Sequence, residues 1–304
     1  MSEEKKEDIA LERWRGLRNK DEVVHIKDAT EREGKYTTPY PIGFDILDTE
    51  MKGGVREGDL IVFTGMSGHG KTTACQAISL NLSNIGLSSL WFSYEVLIDN
   101  VYAKFSEMGM PPEKLKVFTP KKMKSGNLEW IQQKIIEGVE KFGTKFIFID
   151  HLDFITPKKQ TDDQRRIVIS DICTELKELA KELRVVIFLI AHVKKVQGRA
   201  IEMQDISESG ATYKIADAVF VVEREVFIED VGGRKTEVYK TSNGTIRMLK
   251  NRIGGTYPIM FFQMFNNVIV PIETRVNSNN EELNIEVVDE DKEKNVSLFG
   301  IKED

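Results

Sequence analysis

Short apolar runs alternate with longer amphipathic stretches along most of the chain. Apolar runs of this length, bounded by polar or glycine-containing segments, are typical of strands buried on both faces of a parallel sheet. Five runs are predicted to be such strands, at residues 60–64, 89–93, 145–150, 185–191 and 218–222. The pattern therefore predicts an α/β fold with a mainly parallel central sheet.

The stretches between the runs carry apolar residues at helical spacing. Two repeats stand out: Leu128, Ile131, Ile135 and Val139 in the first, and Ile169, Ile172, Leu176, Leu179 and Leu183 in the second. We expect both to be helices packed on the sheet. After residue 222 the pattern becomes alternating around Ser242-Asn243-Gly244 and around Asn266-Asn267, both typical hairpin turn sequences. The sheet is therefore predicted to end in antiparallel hairpins.

Composition divides the chain into three parts. Residues 1–38 are charged with scattered apolar positions, and they are predicted to form a helical arm or linker that ends where Pro39 and Pro41 interrupt the chain. Residues 39–275 carry the strand and helix pattern and are predicted to form one core domain. Residues 276–304 hold nine acidic and three basic residues and few large apolar ones, which predicts a disordered tail.

The formal net charge of the chain is −6, and the tail accounts for all of it. The body is therefore neutral overall, so its charge does not exclude a nucleic-acid partner. No apolar run approaches the roughly 18 residues of a membrane span, and the N-terminus is charged. We expect a cytoplasmic protein without a membrane partner. The two cysteines, Cys75 and Cys173, are far apart and indicate neither a disulfide framework nor a zinc cluster.

Residues 65–72, with the sequence Gly-Met-Ser-Gly-His-Gly-Lys-Thr, match the phosphate-binding Walker A loop. The loop follows a predicted strand and is expected to open a helix at Thr73. Its glycines let backbone N–H groups surround phosphates, while Lys71 neutralises the outer phosphates and the Thr72 hydroxyl binds Mg²⁺. The residues predicted to contact the nucleotide are Gly65, Ser67, Gly68, Gly70, Lys71, Thr72 and Thr73. ATP and Mg²⁺ are the expected cofactors.

Three further polar residues follow predicted strands, whose carboxyl ends gather ligands at one edge of a parallel sheet. Asp150 ends an apolar strand and is predicted to be the second metal ligand, the Walker B aspartate. Glu95 is predicted to be the general base that aligns the attacking water. His192 is a candidate sensor of the γ-phosphate. The alternative for each is a structural role, such as a strand-terminal cap or a surface carboxylate.

These motifs, in this order over residues 40–271, resemble the RecA-like motor domain of DnaB-like replicative helicases, nearest to the branch of Twinkle and the phage primase-helicases. The motifs are Gly43-Phe44-Asp45-Ile46-Leu47-Asp48, the Walker A loop, Phe92-Ser93-Tyr94-Glu95, the strand ending at Asp150, Ala191-His192-Val193-Lys194-Lys195, Ser209-Gly210-Ala211 with Ala216-Asp217, and Leu249-Lys250-Asn251-Arg252. The resemblance implies a RecA-like P-loop ATPase core and a homohexameric ring that moves 5′ to 3′ along single-stranded DNA in DNA replication. The γ-phosphate role of His192 rests mainly on this resemblance, because a lone histidine at a strand end is more often structural. Many bacterial members have glutamine at this position, whereas the Twinkle and phage branch has histidine.

Lys250 and Arg252 match a basic pair that, in the family, reaches the ATP site of the neighbouring subunit. The resemblance implies that Arg252 is an arginine finger acting in trans, with Lys250 beside it. On the sequence alone, an exposed strand with alternating charges is an equal alternative.

The resemblance also implies that two basic loops contact single-stranded DNA on the inner face of a ring. Their basic residues are Lys158, Lys159, Arg165 and Arg166 in the first, and Lys194, Lys195 and Arg199 in the second. Phosphates attract such side chains without regard to sequence, although solvated charged loops are the usual alternative. A helicase loader, a primase or a sliding clamp is a possible partner, the clamp through the apolar patch at 295–299.

Two other classes share the Walker motifs. A RecA-like or KaiC-like regulator would bind ATP and a protein partner without unwinding DNA, and a recombinase of the RecA and RadA group would hydrolyse ATP in a filament on DNA. The Lys250 to Arg252 motif and the basic loops favour the helicase.

Overall fold

The computed structural model describes residues 23, 25–26, 37–156, 161–193, 199–206, 210–231, 234–265 and 268–272. Most of the predicted arm at 1–38 and the whole predicted tail at 276–304 lie outside the described residues.

The helices confirm the helical repeats of the sequence. In chain order they are α1 (Asp45–Glu50), α2 (Lys71–Asn84), α3 (Ile98–Glu107), α4 (Leu128–Phe142), α5 (Leu152–Ile155), α6 (Asp162–Leu183) and α7 (Gly210–Ile215). Local signals set the ends of α4: the Asn127 side chain accepts a 2.8 Å hydrogen bond from the Trp130 N–H, and Gly143 ends the helix with a φ of 61°. None of the helices within the described ranges is long and apolar enough to cross a lipid bilayer.

Within the described ranges, one sheet contains all the strands. They are β1 (Leu60–Gly65), β2 (Ser89–Ser93), β3 (Val117–Phe118), β4 (Phe146–Asp150), β5 (Val186–His192), β6 (Ala218–Val231), β7 (Arg234–Asn251), β8 (Ile259–Phe265) and β9 (Val268–Ile272). The order is β3-β2-β4-β5-β1-β6-β7-β8-β9, parallel from β3 to β6 and antiparallel from β6 to β9. The mainly parallel sheet with C-terminal antiparallel strands is therefore confirmed. The two-residue strand β3 is additional, since it is too short to leave an apolar run.

One predicted hairpin turn is wrong. β7 runs without interruption through Ser242–Gly244, and β6 and β7 instead pair as far as Val231 and Arg234. The glycine has a packing role here, because a Cβ at Gly244 would lie 2.5 Å from the Glu223 carbonyl oxygen and 2.5 Å from Phe262 Cζ. Asn243-Gly244 therefore marks a place where neighbouring strands pack closely, and the chain does not reverse its direction there. The second predicted hairpin is confirmed by the pairing of Phe265 with Val268.

A row of aromatic side chains crosses the sheet on the side of α2. Neighbouring ring centroids in this row are 4.6 to 6.4 Å apart, and the rings belong to Trp91, Phe148, Phe188, Phe63 and Phe220 on five adjacent strands. The indole N–H of Trp91 donates a 3.0 Å hydrogen bond to Ser79 Oγ of α2. Aromatic pairs of this kind add about 0.5–1.5 kcal/mol each beyond the area they bury. The row therefore fixes the parallel strands whose ends form the site.

Candidate nucleotide-binding site

The loop between β1 and α2 depends on glycine at two positions. Gly65 has a φ of 147°, and a Cβ there would lie 2.3 Å from the carbonyl oxygen of Val222. Gly70 has a φ of 99° and immediately precedes α2, which begins at Lys71 and not at the predicted Thr73. Both glycines therefore permit a conformation that other residues rarely adopt, and the loop can present its backbone N–H groups at a helix N-terminus.

Lys71 lies inside this loop. Its Nζ donates hydrogen bonds of 3.0 Å to the carbonyl oxygens of Gly65 and Met66. Burial lowers the pKa of the ammonium group, and the nearby carboxylates of Asp150 and Glu95 oppose that shift. An ammonium group that donates its hydrogen bonds to neutral carbonyl oxygens is available to a bound anion, since a phosphate is the stronger partner.

Thr72 and Asp150 meet at the carboxyl edge of the sheet. Thr72 Oγ1 donates a 2.8 Å hydrogen bond to Asp150 Oδ2. Asp150 Oδ1 is buried without a hydrogen-bond partner, and burial raises the pKa of this carboxyl group. A hydroxyl and an unsatisfied carboxylate oxygen are ligands that Mg²⁺ prefers, so the residues fit the predicted metal.

Glu95 and His192 lie at the same edge as the phosphate loop. Glu95 follows the end of β2 by two residues, and its side chain is 46% exposed. His192 ends β5 and pairs in register with Gly65. Burial lowers the pKa of His192, with the Lys71 charge as the second cause. The structure therefore brings the predicted base and the predicted sensor next to the loop.

Sequence reasoning missed His151 and Asp153. The His151 ring lies between the two predicted groups: its Nε2 is 3.9 Å from Glu95 Oε2, and its centroid is 4.2 Å from that of His192. His151 Nδ1 accepts a 3.3 Å hydrogen bond from the Asp153 backbone N–H and lies 3.2 Å from Asp153 Oδ2, and the interaction with the His151 side chain lowers the pKa of Asp153. The signal was present, because a residue that directly follows the aspartate at the end of β4 must lie at the same edge.

His69 of the phosphate loop was also missed. It is buried, and its Nδ1 accepts a 2.9 Å hydrogen bond from the backbone N–H of Arg224 in β6. This contact ties the loop to the neighbouring strand.

Lys250 and Arg252 lie at the opposite, amino edge of the sheet. Lys250 on β7 pairs with Val219 at the start of β6, and the Arg252 N–H donates to the Asp217 carbonyl oxygen. Lys250 Nζ donates to the carbonyl oxygens of Tyr213 and Lys214 at 2.6 and 2.8 Å. The structure therefore does not bring this basic pair to the phosphate loop of its own chain.

Neither side chain of the basic pair is fully buried. Arg252 Nη2 donates a 2.9 Å hydrogen bond to the Lys214 carbonyl oxygen, yet its side chain is 55% exposed. Burial, followed by the Arg252 charge, lowers the pKa of Lys250 to about 8.

The predicted DNA-contacting residues fall into two groups. Lys158, Lys159, Lys194 and Lys195 lie outside the described residues. Arg165 Nη2 is 2.8 Å from Asp153 Oδ1, Arg199 makes two bonds of 2.5 and 2.6 Å to Asp205, and Arg166 is exposed on α6. Arg165 therefore helps to hold Asp153 beside the site.

Comparison with known proteins finds similarity to DnaB-like helicases and to RadA. The model of the DnaB-like helicase C-terminal domain matches residues 113–268, just over half of the chain. Replicative DNA helicase DnaC of Bacillus subtilis is 26% identical over 283 residues, covering 82% of this chain and 61% of the relative. DNA repair protein RadA of Streptococcus pneumoniae is 24% identical over 266 residues, covering 83% and 56%. The solved structure of a DnaB-like replicative helicase has a TM-score of 0.62 at 19% identity, covering 83% of this chain and 68% of that chain.

The structure has the RecA-like fold, with a phosphate-binding P-loop at the carboxyl edge of the sheet. More narrowly, the chain belongs to the DnaB-like helicase family. It spans about three fifths of the length of the curated replicative helicases it matches.

Proposed function

We propose that this chain is an ATP-driven motor that moves along single-stranded DNA and unwinds duplex DNA in replication, as a homohexameric ring. The observation that carries the proposal is the division of the predicted catalytic groups between opposite edges of one sheet. Lys71, Asp150 and Glu95 lie at the carboxyl edge, while Lys250 and Arg252 lie at the amino edge. Such a division suits a site that is completed by a neighbouring subunit.

The length of the strands explains why Arg252 would act in trans. β1 separates the two edges over six residues, and a strand rises about 3.3 Å per residue, so the edges are roughly 17 Å apart. An arginine at one edge does not reach a phosphate at the other. In a ring of identical subunits, the same surface can face the phosphate loop of the next copy. Hydrolysis would then depend on ring assembly.

Each residue of the site has a role that its position supports. The loop N–H groups and Lys71 hold the phosphates, and Thr72 and Asp150 hold Mg²⁺, which neutralises phosphate charge when it is bound. Glu95 orients the attacking water and accepts its proton. His192 donates a hydrogen bond to the γ-phosphate. Arg252 of the neighbouring subunit, assisted by Lys250, stabilises the charge that develops on the transferred phosphoryl group.

The contacts with DNA complete the proposal. Lys158, Lys159, Lys194 and Lys195 would bind backbone phosphates, together with Arg166 and Arg199, while Arg165 would stay paired with Asp153. Arg199 would exchange its partner Asp205 for a phosphate on binding DNA. We expect 5′ to 3′ movement.

A second candidate is an ATPase that acts on DNA without separating its strands. The similarity to RadA over 83% of this chain favours it, because RadA is named as a DNA repair protein. The discriminating experiment measures ATP hydrolysis with and without single-stranded DNA, and then unwinding of forked duplexes that carry a 5′ tail, a 3′ tail or both. The helicase proposal predicts DNA-stimulated hydrolysis and unwinding that requires the 5′ tail. Stimulated hydrolysis without unwinding, with the Glu95→Gln protein as the inactive control, would favour the second candidate.

A further inference from the structure

Three side chains at the carboxyl edge form a cluster with the composition of a transition-metal site. Glu95, His151 and His192 each offer one ligand atom, and these atoms lie within 4.8 Å of one another. Zn²⁺ bonds of about 2.0–2.1 Å place tetrahedral ligands ~3.3 Å apart, so a modest contraction is needed. The half-exposed side chain of Glu95 has room to make this movement.

The central ligand of the cluster is already oriented by its neighbours. The His151 ring is buried, and Asp153 Oδ2 lies 3.2 Å from its Nδ1. Arg165 holds the other oxygen of Asp153 at 2.8 Å. In the structure Nδ1 also accepts a 3.3 Å hydrogen bond from the Asp153 backbone N–H at the start of α5. On metal binding, Nδ1–H would instead donate to the carboxylate, which leaves the lone pair of Nε2 for the metal. A carboxylate behind a histidine is the usual support of a metal-binding imidazole.

The chemistry of the cluster separates it from the adjacent Mg²⁺ site. Thr72 and Asp150 offer oxygen atoms, which suit Mg²⁺, whereas two imidazoles and one carboxylate suit Zn²⁺ and other divalent transition metals. The positive charge of Lys71 lies nearby and would oppose the binding of a cation. Its Nζ is held by hydrogen bonds to the carbonyl oxygens of Gly65 and Met66.

We propose that Glu95, His151 and His192 bind a divalent transition-metal ion such as Zn²⁺, and that the bound ion inhibits hydrolysis by occupying the carboxylate of Glu95. The binding claim stands on the cluster alone. The inhibition rests on the proposed function, in which Glu95 is the general base.

Zinc binding is tested on the full chain without nucleotide or Mg²⁺, by competition with a chromophoric chelator. We expect one Zn²⁺ per chain. His192→Asn and Glu95→Gln should each weaken binding by about tenfold or more, and Asp153→Asn by about tenfold through loss of the supporting carboxylate. His25→Asn, at a histidine far from the cluster in sequence, is the matched control and should bind as the native chain does. Absence of stoichiometric binding at micromolar zinc, or equal binding by the native and His192→Asn proteins, would overturn the site.

Co²⁺ provides an independent readout of the ligands. The site should give visible d–d bands without thiolate charge-transfer absorption, since Cys75 and Cys173 are buried. A thiolate band would place the metal on a cysteine and contradict the assignment.

The inhibition is tested by titrating zinc into the ATPase assay at fixed Mg²⁺. Half-inhibition should require about tenfold more zinc for Asp153→Asn than for the native chain, each relative to its own zinc-free rate. Stoichiometric binding with an unchanged rate would overturn the inhibitory role. An inactive zinc-free native protein would count against the proposed ATPase function, while the binding result would still decide the metal site.

Discussion

Thr72 Oγ1 donates a 2.8 Å hydrogen bond to Asp150 Oδ2, although 78 residues separate the two along the chain. The bond joins the first turn of α2 to the end of β4, two strands away from β1 in the sheet. The predicted pair of Mg²⁺ ligands is therefore in direct contact. The unpartnered oxygen of Asp150 leaves one ligand position ready.

Lys71→Ala should weaken nucleotide binding, because the change removes the buried charge inside the phosphate loop. Hydrogen bonds to charged groups contribute about 1.5–3 kcal/mol, which corresponds to a loss of roughly tenfold to a hundredfold in affinity. Titration with a fluorescent ATP analogue measures this loss. Native affinity in a folded variant would show that Lys71 does not contact the phosphates.

Glu95→Gln should leave nucleotide binding intact and slow hydrolysis by about 10²- to 10⁴-fold, since the amide cannot accept a proton. The Glu95 side chain is half-exposed, so the substitution should not disturb the fold. Single-turnover hydrolysis, measured beside equilibrium binding, separates the two effects. Full turnover would place the base elsewhere.

The pH dependence of hydrolysis should report on Lys250. Its pKa is lowered to about 8, mainly by burial, so its charge is present below that pH and is lost as the pH rises through 8. If this charge assists the neighbouring site, kcat/KM should fall between about pH 7.5 and 9 for the native protein. Lys250→Arg should remove that fall, because arginine stays charged. The same alkaline decline in both proteins would exclude Lys250 as its source.

Gly244→Ala should destabilise the protein by about 1–3 kcal/mol, since the added Cβ would meet Phe262 and the Glu223 carbonyl oxygen. Denaturant unfolding measures the change. Adding Phe262→Leu should recover part of the loss by making room for the methyl group. Strictly additive effects of the two substitutions would show that the close contact does not set the choice of glycine.

The core of the fold was predictable because its signals are local. β1, β2, β4 and β5 are mostly apolar and buried, and each was placed within one or two residues. The turn expected at Asn243-Gly244 was wrong, since the reason for Gly244 is a ring on β8 that local sequence does not reveal. Contacts between distant strands can override a local turn preference.

Site residues could be predicted where they belong to a sequence motif or follow the end of a predicted strand. The contact between Thr72 and Asp150 follows from the rule that parallel strands end at one edge. His151 follows from the same rule and was overlooked, whereas its contact with Asp153 depends on the short helix α5, which brings Asp153 back towards the edge. The separation of Arg252 from Lys71 likewise required the observed register of β6 and β7.

The central claim is that Arg252 of one subunit completes the ATP site of another, and mixed rings test it most directly. Arg252→Ala and Lys71→Ala should each lower DNA-stimulated hydrolysis strongly, by about 10³-fold or more for the finger. Rings assembled from both variants in equal amounts should recover about a quarter of the native rate, since random assembly pairs an intact loop with an intact finger at one interface in four. Rings of Arg252→Ala with the double variant Lys71→Ala/Arg252→Ala, which supply no intact finger, should stay inactive. Recovery in the first mixture alone is the predicted result, and equal inactivity of both mixtures would contradict the account.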